Sequence, residues 1–193
     1  MAKLEKAGFN GDEISHICEL PFKLTLDVRL SVFSQFKINH NILYTKSRLF
    51  RDKITENDKC HLCSGSRTLV HLFVDCNFSK VFWTDFTTWW NCRNSTLIRL
   101  QQRDILYAFH PGKQSFLGVN YCLLVAKNYI YISAKNEDPF CFNSYFTFFK
   151  KQAQGRQNED SRPCYSLEHL VLLSLLLFDD RNSWLLYNAV LVS

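Results

Sequence analysis

The strongest constraint in this chain is a run of metal-ligand residue types, CHLCSGSRTLVHLFVDC, which begins at Cys60 and ends at Cys76. Cys60 and Cys63 stand two residues apart, and His71 and Cys76 follow within thirteen residues of Cys63. A C-x2-C pair on a tight turn directs two thiolates at one ion, and the Ser-Gly-Ser that follows lets the backbone turn away. The spacing predicts one zinc ion held by Cys60, Cys63, His71 and Cys76.

Three thiolates and one imidazole form a closed ligand set that leaves no position for water or substrate. The predicted zinc therefore stabilises the fold and does not catalyse. His61 is an alternative ligand, but a histidine directly after Cys60 rarely reaches the same ion, so His71 is preferred. In the competing interpretation Cys76 is a core thiol and His71 an ordinary helical histidine.

The rest of the chain predicts a mainly α fold, an irregular helical domain into which a small zinc knuckle is inserted. The sequence is 47% hydrophobic and 15% aromatic with only six Gly and four Pro, a globular composition. No turn dipeptide flanked by alternating apolar residues predicts a hairpin. Apolar spacing predicts two helices, or one long bent helix, over 25–36 and from Ile38 to before Glu56. It also predicts helices over 78–91 with Asn77 as N-cap, 101–109, 119–132 and 142–153.

The predicted domain organisation has three parts. Residues 1–20 are expected to be a poorly ordered lead-in, and residues 21–153 a zinc-binding helical domain with its knuckle at 60–76. Residues 154–193 combine a polar linker with an apolar tail that fits no earlier pattern.

The helix predicted over 78–91 is rich in aromatic residues, with Phe78, Phe82 or Trp83, Phe86, and Trp89 or Trp90 on one face. Aromatic residues at helical spacing are usually core residues. We therefore expect the rings from position 82 onward to pack inside: Phe82, Trp83, Phe86, Trp89 and Trp90.

A net charge of +5 and a cluster of basic residues around the cysteine run fit a nucleic-acid partner. Phosphate contacts from such residues give salt-sensitive binding to RNA or DNA with little sequence preference. A merely solvated basic surface remains the alternative. The candidate contacts are Lys37, Lys46, Arg48, Arg51, Lys53, Arg67 and Lys80.

The sequence predicts an intracellular protein of the nucleus or cytoplasm. Its N-terminus lacks the apolar region of a secretory signal. Its longest apolar run, residues 170–178, spans nine residues where a membrane helix needs about 20. Without export, disulfides are not expected, and the other cysteines are interpreted as core or exposed thiols.

The run KCHLC…TLVHLFVDCNFSKVFW resembles the zinc-binding region at the C-terminal end of reverse transcriptases from non-LTR (LINE-type) retrotransposons. The shared pattern is C-x-x-C, a histidine in an HLF triplet, a cysteine three residues later, and an FW pair. Upstream LTLDVRLSVFSQFKINHNILYTKSRLFRDKI and downstream RDILYAFHP and NYCLLVAKNYI also resemble that family. The likeness spans about residues 20–153.

The resemblance implies a role in gripping template RNA or the target site. No Y-x-D-D sequence supplies the carboxylate pair that a polymerase needs to hold two metal ions. The chain is therefore expected to be a non-catalytic fragment of such an enzyme that binds nucleic acid. The alternatives are a zinc-stabilised protein-interaction module or an inert retroelement relic. A zinc hydrolase using His110 or His169 is disfavoured because neither histidine lies in a motif such as H-E-x-x-H.

Overall fold

The computed structural model describes residues 2–24, 35–95 and 97–157, and within these ranges it contains helices and no β-strand. Lys59 and Ser66 form an isolated β-bridge at the knuckle. The predicted fold class, mainly helical with a small cysteine-rich knuckle, is confirmed. The elements are α1 (Ala2–Lys6), α2 (Gly11–Leu24), α3 (Lys37–Asn39), α4 (Lys46–Arg51), a π-helical turn (His71–Asp75), α5 (Asn77–Arg93), α6 (Gln102–Leu106), a 3₁₀ turn (Gln114–Phe116), α7 (Leu117–Asn136) and α8 (Phe142–Gln157).

Helix α7 is the centre of the fold, because its sequence is apolar on almost every side. It packs against α2, α8, the π-helical turn and the 3₁₀ turn. It ends at Glu137, which takes a left-handed conformation with φ 60°. The N–H of Asp138 donates to the carbonyl of Ser133 at 2.9 Å, which is the hydrogen bond of a Schellman motif.

Aromatic side chains of α5 and α8 pack against each other in the core. The ring centroids of Phe82 and Tyr145 lie 5.4 Å apart, and those of Trp89 and Phe142 lie 5.6 Å apart. The predicted core role of the α5 rings is confirmed for Phe82, Trp83, Phe86, Trp89 and Trp90, which are all buried. Phe78, predicted on the same face, is instead 40% exposed.

The structure corrects the expectation of a poorly ordered lead-in over residues 1–20, because α1 and most of α2 lie there. Leu4 and Ile17 are 3% and 1% exposed, so this segment is part of the core. A capping box starts α2: the Asn10 side chain accepts from the Glu13 N–H at 2.9 Å, and the Glu13 carboxylate accepts from the Asn10 N–H at 3.0 Å.

The stretch predicted as helical from Ile38 to before Glu56 is divided by a turn between α3 and α4. Asn41 adopts φ 55°, and the N–H of Ile42 donates to the carbonyl of Lys37, which ends α3. Thr45 then caps α4 by accepting from the Arg48 N–H. The predicted helix over 25–36 falls mostly outside the described residues.

Other helix ends also differ from the prediction: α6 covers Gln102–Leu106 rather than 101–109, and α7 covers Leu117–Asn136 rather than 119–132. Cys76 rather than Asn77 is the N-cap of α5, and Asn77 is its first residue. Helix α8 continues to Gln157, past the predicted start of the linker at 154. The apolar tail from residue 158 lies outside the described residues. Among the helices that are described, none is both long and apolar enough to cross a membrane.

Candidate metal centre

The structure brings the four predicted ligands together. One donor atom from each of Cys60, Cys63, His71 and Cys76 lies within 4.8 Å of the other three. The Cys63 and Cys76 sulfurs are 3.7 Å apart, and the Cys63 sulfur lies 3.2 Å from Nε2 of His71. Two sulfurs on one tetrahedral zinc are about 3.8 Å apart, since each Zn–S bond is about 2.3 Å. The donor set and its spacing therefore fit a metal ion.

The C-x2-C turn is closed by backbone hydrogen bonds. The N–H of Cys60 donates to the Gly65 carbonyl at 2.7 Å, and the N–H of Ser64 donates to the Cys60 carbonyl at 2.9 Å. Ser64, with φ 59°, and not Gly65 takes the left-handed conformation. Gly65 has a different role: a Cβ there would lie 2.8 Å from Cε1 of His71. Its missing side chain makes room for the imidazole.

A π-helical turn places His71 and Cys76 on one side. Five residues of ordinary α-helix would separate the two side chains by about 140° around the axis. Here the N–H of Cys76 donates to the carbonyl of His71 at 2.9 Å, an i to i+5 hydrogen bond. The wider turn rotates the two residues toward each other, so that both can face the same ion.

Side chains on both sides hold the π-helical turn. Thr68 accepts from the N–H of His71 at 3.1 Å. The hydroxyl of Ser79 donates to the Leu72 carbonyl, and Nε1 of Trp83 donates to the Phe73 carbonyl, both at 2.6 Å. These two bonds from α5 satisfy buried carbonyls inside the turn. Thr68 stands just before an apolar run, which is a sequence signal for a residue that caps a helix start. No such signal in the sequence identifies Ser79 or Trp83 as hydrogen-bond donors to the π-helical turn.

The ligands differ in how readily each reaches the protonation state that binds a metal. Burial is the main cause that lowers the pKa of His71, which favours the neutral imidazole that binds metals. Burial raises the pKa of Cys76 to about 11. At Cys63 burial also raises the pKa, but hydrogen bonds from the Gly65 backbone and from the Cys76 and Cys60 thiols outweigh it and lower the pKa. Cys63 is thus the first thiol of this pair to become a thiolate.

His61 and Arg67 bind α7 and are not part of the ligand cluster. Nε2 of His61 lies 3.4 Å from the carbonyl of Asp138, and its Nδ1 lies 3.4 Å from Nη1 of Arg67. The same Nη1 donates to the Ala134 carbonyl at 2.8 Å. Positive charge at a helix C-terminus is favourable, so these contacts fasten the knuckle to the end of α7.

The seven predicted phosphate contacts do not have equal access to a partner. Arg67 is 7% exposed and donates to a backbone carbonyl. The structure therefore gives Arg67 a structural role instead of the predicted phosphate contact. Lys46 forms an ion pair with Glu137 at 2.7 Å. Arg51 is 72% exposed, 3.8 Å from Asp52. The remaining four are half-buried (Lys37, Arg48) or exposed (Lys53, Lys80).

The other cysteines of the described residues are free thiols that join no metal cluster there. Cys122 is buried in α7, and Cys18, Cys92 and Cys141 are exposed. This agrees with their interpretation as core or exposed thiols. Cys164 lies outside the described residues.

Residues 4–83 match the family model described as zinc-binding in reverse transcriptase. The matched segment contains all four ligands and ends at Trp83, so this part of the chain is similar to the zinc-binding region of reverse transcriptases. The resemblance to reverse transcriptases is confirmed for this segment, which starts earlier than residue 20. Its extension to residue 153 stays a prediction. No curated protein and no solved structure matches the chain.

Proposed function

We propose that this chain is a non-catalytic nucleic-acid-binding module derived from a LINE-type retrotransposon reverse transcriptase, with one structural zinc. The observation that carries the proposal is the convergence of Cys60, Cys63, His71 and Cys76 beside a basic segment. The zinc would be held by these four residues and would stabilise the knuckle.

Two features support a structural and non-catalytic metal. The ligand set is complete with four protein donors, so no coordination position is left for water or substrate. Cys60 and Cys76 are 5% and 2% exposed, which shields half of the donors from solvent.

The knuckle is coupled to the basic segment by direct hydrogen bonds. The N–H of Ser47 in α4 donates to the carbonyl of Arg67, which lies between the second and third metal ligands, at 3.2 Å. The guanidinium of Arg67 and the ammonium of Lys46 then reach Ala134 and Glu137 at the end of α7. Loss of the metal would therefore disturb the anchoring of α4 and its cations.

A zinc-stabilised protein-interaction module is the second candidate, because apolar side chains near α4 are exposed, Ile54 to 65% and Tyr44 to 51%. Such residues occur at binding sites for proteins as well as for unpaired bases. An inert relic would have the same fold and would bind neither.

A salt titration tests the proposal. The full zinc-loaded chain is mixed with a labelled RNA or DNA oligonucleotide, and the binding constant is measured by fluorescence anisotropy at several salt concentrations. The binding constant should fall linearly with salt on logarithmic axes, and chelation of the zinc should weaken binding. No salt-dependent binding to either nucleic acid at low ionic strength would overturn the proposal.

A further inference from the structure

We infer that the surface at and beside α4, formed by exposed Tyr44, Phe50, Arg51 and Lys53 with half-buried Arg48, binds single-stranded nucleic acid by stacking unpaired bases on its aromatic rings. The inference rests on the proposed function and assigns it a surface and a form of nucleic acid. Below, these five residues are called the α4 surface.

Exposed apolar side chains concentrate around α4. Ten large hydrophobic residues of the described chain are exposed, and five of them lie between residues 36 and 54. Tyr44 and Phe50 are 51% and 48% exposed, whereas most other aromatic rings of the described residues are buried. Other aromatic side chains form the core, and the rings of Tyr44 and Phe50 remain largely accessible to solvent.

Direct contacts make part of the α4 surface continuous. The guanidinium carbon of Arg48 lies 5.6 Å from the centre of the Tyr44 ring. Nε of Arg48 lies 3.7 Å from the carboxylate of Asp52, and Nε of Arg51 lies 3.8 Å from the same carboxylate. The ring of Tyr44 and the cations of Arg48 and Arg51 therefore lie along one side of the helix.

The turn that follows α4 adds a third cation, Lys53. Lys53 adopts a left-handed conformation with φ 58°, and its N–H donates to the Phe50 carbonyl at 3.0 Å. This turn closes the helix and places Lys53 at its C-terminal end. Arg51 and Lys53 are both exposed.

The charge of this segment favours a polyanion as its occupant. Residues 35–55 contain five Lys and Arg against one carboxylate, Asp52. Arg48 is fixed by donating from Nη1 to the Asn41 carbonyl at 3.0 Å, which orients its plane beside the Tyr44 ring. Ordered guanidinium planes and aromatic rings are the groups on which unpaired bases stack.

Aromatic rings distinguish single strands from duplexes. In a duplex the base faces are already stacked on each other, so Tyr44 and Phe50 would gain nothing beyond contacts to the backbone. A single strand exposes its base faces, and stacking on one aromatic ring strengthens binding by about tenfold or more. The α4 surface should therefore prefer single strands, with little dependence on sequence.

The test compares binding of labelled oligo(dT), oligo(U) and a duplex of equal length to the full zinc-loaded chain. The stacking variant is Tyr44→Ala with Phe50→Ala, and the charge variant is Arg51→Gln with Lys53→Gln. The control is Phe22→Ala, which removes an aromatic ring that is 58% exposed on α2. Zinc content and circular dichroism establish that each variant folds.

The parent should bind both single strands more tightly than the duplex. The stacking variant should bind them about tenfold or more weakly with an unchanged salt slope. The charge variant should lower that slope by about 1.4, since each phosphate contact to a single strand contributes about 0.7. The Phe22→Ala control should match the parent.

The outcomes separate this inference from the proposed function. Equal binding to single strands and duplex, with the stacking variant equal to the parent, would overturn the inference and leave the proposed function standing. No binding to any oligonucleotide would overturn both. If oligonucleotides do not bind and Tyr44→Ala with Phe50→Ala abolishes self-association in sedimentation, the α4 surface is instead an interface between two copies of this chain.

Discussion

Gly65 lies directly against the imidazole of His71, and a Cβ at this glycine would stand 2.8 Å from Cε1 of the ring. The third ligand of the candidate metal centre is therefore positioned by the absence of a side chain on the C-x2-C turn. His71 in turn stands 3.2 Å from the sulfur of Cys63 through its Nε2 atom. A small change in the turn must move the histidine and alter the ligand geometry.

Gly65→Ala should weaken zinc binding by about tenfold or more, because the ring of His71 has to move away from the new methyl group. The measurement is the zinc affinity in competition with a chelator of known affinity. Gly11→Ala is the matched control, since a Cβ at Gly11 meets no atom within 4 Å. Equal zinc affinity in the Gly65→Ala protein and the parent would show that His71 does not need this space.

Trp83→Phe should destabilise the fold by about 1–3 kcal/mol, because it leaves the buried Phe73 carbonyl without its donor. Trp90→Phe is the matched control: this Trp is also buried, but its Nε1 has no hydrogen-bond partner. Both substitutions remove similar volume, so urea unfolding isolates the hydrogen bond. The expectation fails if the two variants lose the same stability.

Arg67→Gln should lower stability and leave the salt slope of nucleic-acid binding unchanged, because Arg67 is buried and donates to Ala134. The cost should be about 1–3 kcal/mol, the range for a buried carbonyl that loses its partner. Arg51→Gln should instead lower the salt slope of nucleic-acid binding and change the free energy of unfolding by no more than about 0.5 kcal/mol. If the folded Arg67→Gln protein binds nucleic acid with a lower salt slope than the parent, Arg67 is a phosphate contact after all.

Lys127→Met should make stability less dependent on pH. Burial lowers the pKa of Lys127 from 10.5 to about 7, although its Nζ donates to the Leu106 carbonyl at 3.2 Å and to the side chain of Gln35. Below pH 7 the lysine is charged in both states, and the cost of burying the charge is fully present. Between pH 7 and 10.5 only the unfolded chain keeps the proton, so stability rises with pH.

The stability difference between Lys127→Met and the parent should therefore shift in favour of the parent from pH 7 to pH 9, by at most about 1.4 kcal/mol per pH unit. Urea unfolding of both zinc-loaded proteins at the two pH values gives this difference. A difference that does not change with pH would contradict the lowered pKa of Lys127.

The sequence was sufficient for the parts of the fold that depend on local spacing. The ligand set followed from the spacing of Cys60, Cys63, His71 and Cys76, and the aromatic core of α5 followed from helical periodicity. The π-helical turn was not predictable, because an i to i+5 hydrogen bond leaves no composition signal. From the sequence, Gly65 is expected to serve a turn. Its actual role, leaving room for the His71 ring, is visible only in the folded chain.

Other parts were missed for different physical reasons. The spacing of Asn10 and Glu13 is a capping-box signal for α2, whereas the polar composition of residues 1–20 favours disorder. The sequence does not distinguish Arg67 from the surface cations, because its partner, the Ala134 carbonyl, lies 67 residues away in sequence. Contacts between distant segments of this kind have no local pattern.

Elemental analysis of the full chain after dialysis, beside a Cys60→Ser, Cys76→Ser variant, measures the metal content of the candidate site. We expect about one zinc per parent chain and none in the variant, because two of the four ligands are then lost. No zinc in the parent, or zinc retained in the variant, would show that these four residues do not form a structural zinc site.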